Sequence, residues 1–240
     1  LETDIVFGGE NALERTLDRV CHTGPSAVFV LSTCITETIG DDVVKVCSRE
    51  RNIPIVPVPT AGFLGGTFPA GVNNALVAIA GMAPLCDKSD RVNIIGEKNL
   101  EYEVDENFSE VSRLLAALGL EVNLRFVHDI RTGDIAKLGA SQLNILRDPL
   151  VIPVGECLRQ RFGTPYIPSF PVGMAGTISF LESIGNFCDV DSADAVAGER
   201  LLQQETIAAF RDLAGSSVTC NPSLMDAQGQ NAIQEVACAL

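Results

Sequence analysis

Cys34 is the residue of this sequence whose type and setting most readily do chemistry. It stands in Ser32-Thr33-Cys34-Ile35-Thr36-Glu37-Thr38-Ile39-Gly40-Asp41-Asp42, just past the apolar run Val28-Phe29-Val30-Leu31. That run reads as a buried strand, and in open α/β sheets ligands bind at the carboxyl edge of the strands. A helix is expected after Asp42, so Cys34 falls in a strand-to-helix turn, where a thiolate gains from backbone N–H groups and the helix dipole. Such a cysteine is a nucleophile, a metal ligand or a small packing residue, and spacing alone leaves the three open. A second candidate is the glycine-rich loop Thr60 to Gly71, which follows a strand and opens a helix. It lacks the Gly-Lys-Ser/Thr of a phosphate-binding loop, and its glycines do not match GxGxxG. Gly62 permits close backbone approach and is a cofactor-binding candidate together with Phe63. Phe63 and Phe68 either meet a cofactor or partner, or pack back onto their own lobe. Glu37, Asp41 and Asp42 read first as helix-capping acids and second as proton carriers. His22 falls at a helix end, whereas His128, with Asp129 and Arg131, follows a strand and is a candidate for substrate contact. No Ser/His/Asp arrangement suggests hydrolysis.

The elements that must position these residues alternate between short apolar runs and amphipathic stretches, as repeated βαβ units with parallel sheets do. Strands are expected at Ala27–Leu31, Ile55–Val58, Val92–Ile95, Val122–Phe126, Leu143–Leu146, Tyr166–Ile167 and Val218–Cys220. Helices are expected at Glu10–Cys21, Asp42–Arg51, Val72–Met82, Phe108–Leu118, Glu156–Arg161, Thr177–Ile184 and Glu199–Leu213, with a helix-like tail running to Leu240. Val111, Leu114, Leu115 and Leu118 recur at three-four spacing and define one apolar face. The polar stretch Pro84 to Arg91 reads as a connector between lobes, and Cys188 to Gly198 as a second break. The expected architecture is therefore α/β: two Rossmann-like parallel-sheet lobes flanked by helices, 1–88 and 89–190, with the start of a third over 191–240. The chain begins on leucine and enters an extended element at once (Thr3 to Phe7), as a piece of a longer protein would.

Composition excludes several classes. The chain of 240 residues carries 17 basic and 31 acidic side chains, a net charge of −14, which repels a phosphate backbone and argues against a nucleic-acid partner. No run reaches the roughly 18 to 20 consecutive apolar residues of a membrane span. No basic-then-apolar leader opens the sequence, so a cytoplasmic protein is expected. The eight cysteines (Cys21, Cys34, Cys47, Cys86, Cys157, Cys188, Cys220 and Cys238) are scattered, without a CxxC pair or zinc-finger spacing.

The string Thr33-Cys34-x-x-Glu37-x-Ile39-Gly40-Asp41-Asp42 resembles the turn that carries a cluster-ligating cysteine in nitrogenase component 1-type proteins. Thr3-Asp4-Ile5-Val6-Phe7-Gly8-Gly9-Glu10 is similar to the segment leading into the family's preceding helix. Ile53-Pro54-Ile55-Val56-Pro57-Val58 with Ala61-Gly62-Phe63 resembles its next strand and loop. Val92-Asn93-Ile94-Ile95-Gly96-Glu97 resembles the strand opening the second domain, and Phe162-Gly163-Thr164-Pro165-Tyr166 the approach to its last strand. Pro171-Val172-Gly173 and the helix after it are closer to β-type than to α-type subunits. The likeness runs in order along nearly the whole chain. It implies a subunit of three Rossmann-like domains that pairs with a homologous subunit, as homodimer or heterotetramer. An iron-sulfur cluster, 4Fe-4S or P-cluster-like, is shared between the two. An ATP-dependent iron-protein reductase with its own 4Fe-4S cluster delivers the electrons. Cys34 would supply one thiolate, its partner cysteines lying mostly in the family's first domain. Where α-type subunits anchor their iron-molybdenum cofactor by a cysteine, Leu146 runs into Arg147-Asp148-Pro149, so cofactor anchoring is not expected, and Cys157 reads as packing. The resemblance implies an electron-transfer subunit of a nitrogenase-like reductase or, alternatively, a non-catalytic scaffold for iron-molybdenum cofactor assembly. Without a cluster, the chain would be an α/β binding module in which Cys34 only packs.

Overall fold

The computed structural model describes residues 8–63, 66–100, 102–217, 219, 221 and 227–240. Val218 and Cys220 of the strand expected there, and the extended entry Thr3 to Phe7, lie outside the described residues.

The first lobe opens with α1 (Glu10–Cys21), which buries Leu17. Two parallel strands follow, β1 (Val28–Ser32) and β2 (Ile55–Pro59), with Val28 opposite Ile55 and Ser32 opposite Pro59. Between them lie two short helices, α2 (Cys34–Ile39), where an open turn was expected, and α3 (Val43–Cys47), shorter than the helix expected over Asp42–Arg51. The physical reason lies in the caps. Thr33 starts a helix by accepting from Thr36 N, Gly40 ends it in the left-handed region at φ +77°, and Asp42 starts the next by accepting from Lys45 N. Cys34 is thus the first residue of a six-residue helix rather than part of an open turn. Leu17, Val43, Val46 and Cys47 form the core of this lobe, with Val28, Val30 and Ile55 packed against it.

The second lobe is a four-stranded parallel sheet of order β4-β3-β5-β6, from β3 (Val92–Ile95), β4 (Val122–Phe126), β5 (Leu143–Leu146) and β6 (Tyr166–Ile167). Every residue of β3 and β5 is buried, as strands covered on both faces must be. One face meets α5 (Val104–Ala117) and α7 (Gly173–Cys188) through Leu114, Leu115, Leu181 and Ile184. The apolar stripe expected at Val111, Leu114, Leu115 and Leu118 is buried throughout. The other face packs Ile95, Phe126 and Leu146 against α6 (Ile152–Phe162) and a 3₁₀ segment, Thr132–Ala140. Two polar residues interrupt the central strands, and both are satisfied. Asn93 Nδ2 donates to Leu138 O (2.9 Å), Ser141 Oγ (2.8 Å) and Asn144 Oδ1 (3.0 Å), while Asn123 Nδ2 donates to Asn93 Oδ1 (2.8 Å).

Two features join the lobes. Helix α4 (Phe68–Ala80) follows β2 and packs beside it, yet sends Leu76 and Ala80 into the core of the second sheet. In the connector, Lys88 Nζ donates to Gly139 O (3.0 Å), Ser141 O (3.1 Å) and Thr164 Oγ1, which fastens the connector to the second lobe. The chain continues through α8 (Ala193–Ala209) and ends in α9 (Ala227–Ala239). No described helix is long and apolar enough to cross a membrane.

Candidate functional site

Because β1 and β2 are parallel neighbours, whatever follows each strand emerges on one edge of the sheet. After β1 comes Thr33 and then Cys34, whose residue is half-buried and whose carbonyl accepts from Thr38 Oγ1 (2.7 Å). After β2 comes Thr60, which ties the two exits together: its Oγ1 donates to Ser32 O (2.8 Å) and its N–H to Ser32 Oγ (3.4 Å). Ala61, Gly62 and Phe63 follow, so the loop candidates share an edge with Cys34. The loop closes tightly on itself, since a Cβ at Gly66 would stand 2.5 Å from Ala61 O. Phe63 and Phe68 are 76% and 82% exposed, so neither packs back onto the lobe.

The acids near the cysteine hold backbone. Asp41 Oδ1 accepts from Gly9 N (2.8 Å), pinning the α2–α3 corner to the start of α1, and Asp42 Oδ1 accepts from Lys45 N (2.9 Å). Glu37 is exposed. The capping reading of Asp42 therefore accounts for its contacts, and Asp41 acts as a tether. His22 lies at the C-terminal end of α1, its Nδ1 against Asp18 O, as a helix-ending histidine should.

Cys34 has no ligand set of its own: among the described residues no group of three or more His, Cys, Asp or Glu could hold a metal ion. The other described thiols serve elsewhere. Burial pushes up the pKa of Cys47, which is in the first-lobe core, and that of Cys188, while Cys157 is half-buried on α6.

The carboxyl edge of the second sheet holds a feature that sequence reasoning missed. Glu97, two residues past the end of β3, has no exposed surface, and its Oε2 accepts from Arg125 Nε (2.7 Å). Arg125 Nη1 also donates to Asp105 Oδ1 (2.9 Å), and its guanidinium lies 3.8 Å from the centroid of the Phe108 ring. Burial raises the Glu97 pKa, and the hydrogen bond and charge of Arg125 are the chief influences opposing the rise. His128 is buried in this group, its Nε2 3.9 Å from Asp105 and its Nδ1 3.8 Å from Asp129, beyond hydrogen-bond reach. The available signal was an arginine inside an apolar strand, since a cation there needs a buried partner.

The profile of the family described as nitrogenase component 1 type oxidoreductase matches residues 1–220. The nitrogenase iron-molybdenum cofactor biosynthesis protein NifE of Rippkaea orientalis is 30% identical over 214 residues, 85% of this chain and 44% of that protein. NifE of Clostridium pasteurianum is 28% identical over 85% of this chain and 46% of that protein. The nitrogenase molybdenum-iron protein alpha chain of Clostridium pasteurianum is 28% identical over 88% of this chain and 40% of that protein. The chain thus spans less than half the length of these relatives. A solved structure of nitrogenase Cp1 at pH 5 superposes with a TM-score of 0.66 at 26% identity, covering 88% of this chain and 43% of that one. Nitrogenase Cp1 at pH 6.5 superposes at 0.71 with 23% identity, a likeness of fold, over 99% of this chain and 48% of that one. With its parallel α/β sheets and a family match along nearly its whole length, the chain belongs to the nitrogenase component 1 type oxidoreductases.

Proposed function

We propose that this chain is part of an iron-sulfur scaffold subunit for iron-molybdenum cofactor assembly, acting in the cytoplasm, in which Cys34 supplies one thiolate to a cluster shared with a homologous subunit. The observation that carries the reading is the half-buried Cys34 at the carboxyl edge of β1, the sheet edge from which the loop with the exposed Phe63 also leaves, in a string that resembles the family's cysteine turn. A soft, charged thiolate suits iron-sulfur ligation. A lone thiol fits one corner of a shared site and does not fit a self-contained one. When bound, such a cluster supplies one-electron transfer. This chain's own part is to fix the thiol: the Thr33 cap sets the backbone of α2, the Thr60–Ser32 pair holds the neighbouring loop, and Gly62 and Phe63 flank the site. The assembly role is favoured by the 30% identity to NifE, a cofactor biosynthesis protein by name. The lobes 1–88 and 89–190, with the beginning of a third over 191–240, would be the family's domains in this chain.

Similarity to the molybdenum-iron protein alpha chain favours a second reading, an electron-transfer subunit of a nitrogenase-like reductase that receives electrons from an ATP-dependent iron protein with a 4Fe-4S cluster. Purification without air of the intact protein and its Cys34→Ala variant tests the ligand assignment. Iron content should fall and the low-temperature paramagnetic spectrum should change in the variant; full retention of both would sink the assignment. The two roles separate by outcome. A scaffold releases cofactor to an apo-enzyme, whereas a reductase subunit turns over substrate when given iron protein and ATP.

A further inference from the structure

Gly9, at the N-cap position of α1, has no side chain with which to cap that helix, and its own N–H donates to Asp41 Oδ1 (2.8 Å), 32 residues on. The clasp is reciprocal. From the first turn of α1, Glu10 Oε1 accepts from Asp42 N (3.3 Å), and Glu10 Oε2 lies 3.4 Å from Lys45 Nζ on α3. The Asp41 carboxylate lies close against the backbone there: a Cβ at Gly9 would stand 2.8 Å from Oδ2, and one at Gly8 3.1 Å from Oδ1.

The main chain of Asp41 is committed as well. Its N–H donates to Thr36 O (3.1 Å), closing α2 after Gly40, and its carbonyl accepts from Val43 N (3.0 Å) at the start of α3. One residue thus ends α2, turns the chain and fastens the corner to α1. Helix α2 has six residues, about 9 Å at 1.5 Å per residue, and sends no side chain into the core of its lobe. Its two ends therefore set its position. The start is held by the Thr33 cap and by the bonds between Thr60 and Ser32, and the end by Asp41.

We infer that Asp41 is a positioning residue for the Cys34 thiolate: its clasp on Gly9 fixes the far end of α2 and so the place from which the first residue of that helix presents its sulfur. The inference rests on the reading of Cys34 as a cluster ligand and names what holds that ligand in advance of binding. A ligand whose backbone is already fixed loses less freedom when it binds. The charge strengthens the clasp twice, as an ionised acceptor and as an anion at the positive end of a 12-residue helix.

The intact protein, purified without air, is compared by its low-temperature paramagnetic spectrum and by the rate at which a ferrous chelator removes its iron. In Asp41→Ala the spectrum should change and iron loss should quicken about tenfold. Asp41→Asn keeps an oxygen for the Gly9 N–H and should restore the spectrum, with iron loss within about twofold of wild type. Glu10→Ala opens the other half of the clasp and should act in the same direction as Asp41→Ala, which keeps the test decisive if the latter does not fold. Asp18→Asn, at the far end of α1 where Asp18 pairs with Arg51 (3.3 Å), should leave both readouts as they are. An equal effect there would make Asp41 a general stability contact and overturn the inference. So would a wild-type spectrum and rate in the clasp variants. If wild type holds no iron, or Cys34→Ala keeps it, the ligand reading falls and this inference with it. If Cys34→Ala loses iron while the clasp variants are silent, this inference alone falls.

Discussion

A carboxylate with no exposed surface has to be paired or protonated, and Glu97 is both held by Arg125 and pushed toward protonation by burial. Its raised native pKa means that the folded state binds the proton more tightly than the unfolded chain does. The stabilisation this brings is complete below the unfolded glutamate pKa and is lost as pH rises through the higher native value. Wild type should therefore lose stability relative to Glu97→Gln as pH is raised through that window. Urea melts of both proteins at stepped pH check this, and a pH-independent difference would refute it. At this scale the sequence was unevenly informative. The string around Cys34 could be compared as one motif because its members lie within eight residues of that cysteine. The Glu97–Arg125 pair could not be read that way, because its members stand 28 residues apart and meet only when β3 and β4 lie side by side.

Among the elements, the strands of the second sheet were legible at their observed limits, since each is a short apolar run between breakers. The first helix was placed at its observed limits, the one expected over Asp42–Arg51 was drawn too long, and several others began too late. Phe108–Leu118, for example, extends back to Val104, over acids that favour a helix start without showing an apolar period. The 3₁₀ segment Thr132–Ala140 was missed, because tight turns carry no strong periodicity of their own. Tertiary hydrogen bonds hold it in place, chief among them the Asn93 amide reaching Leu138 O and Ser141 Oγ. Asn93→Ala would strand these buried acceptors, and destabilisation of about 2–3 kcal/mol is expected in chemical denaturation. A loss below about 0.5 kcal/mol would show that the network adds nothing to the sheet.

For the molecule as a whole, α4 links the two sheets, lying against β2 while its Leu76 and Ala80 enter the core shared with Ile95 and Phe126. Leu76 is 3% exposed, so Leu76→Ala should cost about 2–5 kcal/mol. Amide exchange should then quicken in β1–β2 and in β3–β6 together; a response confined to one sheet would mean that the lobes are stabilised separately. The sequence by itself determined the α/β class, the strands of the second sheet and the family, because apolar periodicity, caps and short strings are local properties of the chain. Only the tertiary structure decided which distant groups meet: Thr60 with Ser32 beside Cys34, Arg125 with buried Glu97, and Glu235 with the start of α7. Those meetings depend on the strand order β4-β3-β5-β6 and on how helices pack across it, and no window of sequence shorter than the fold encodes that order.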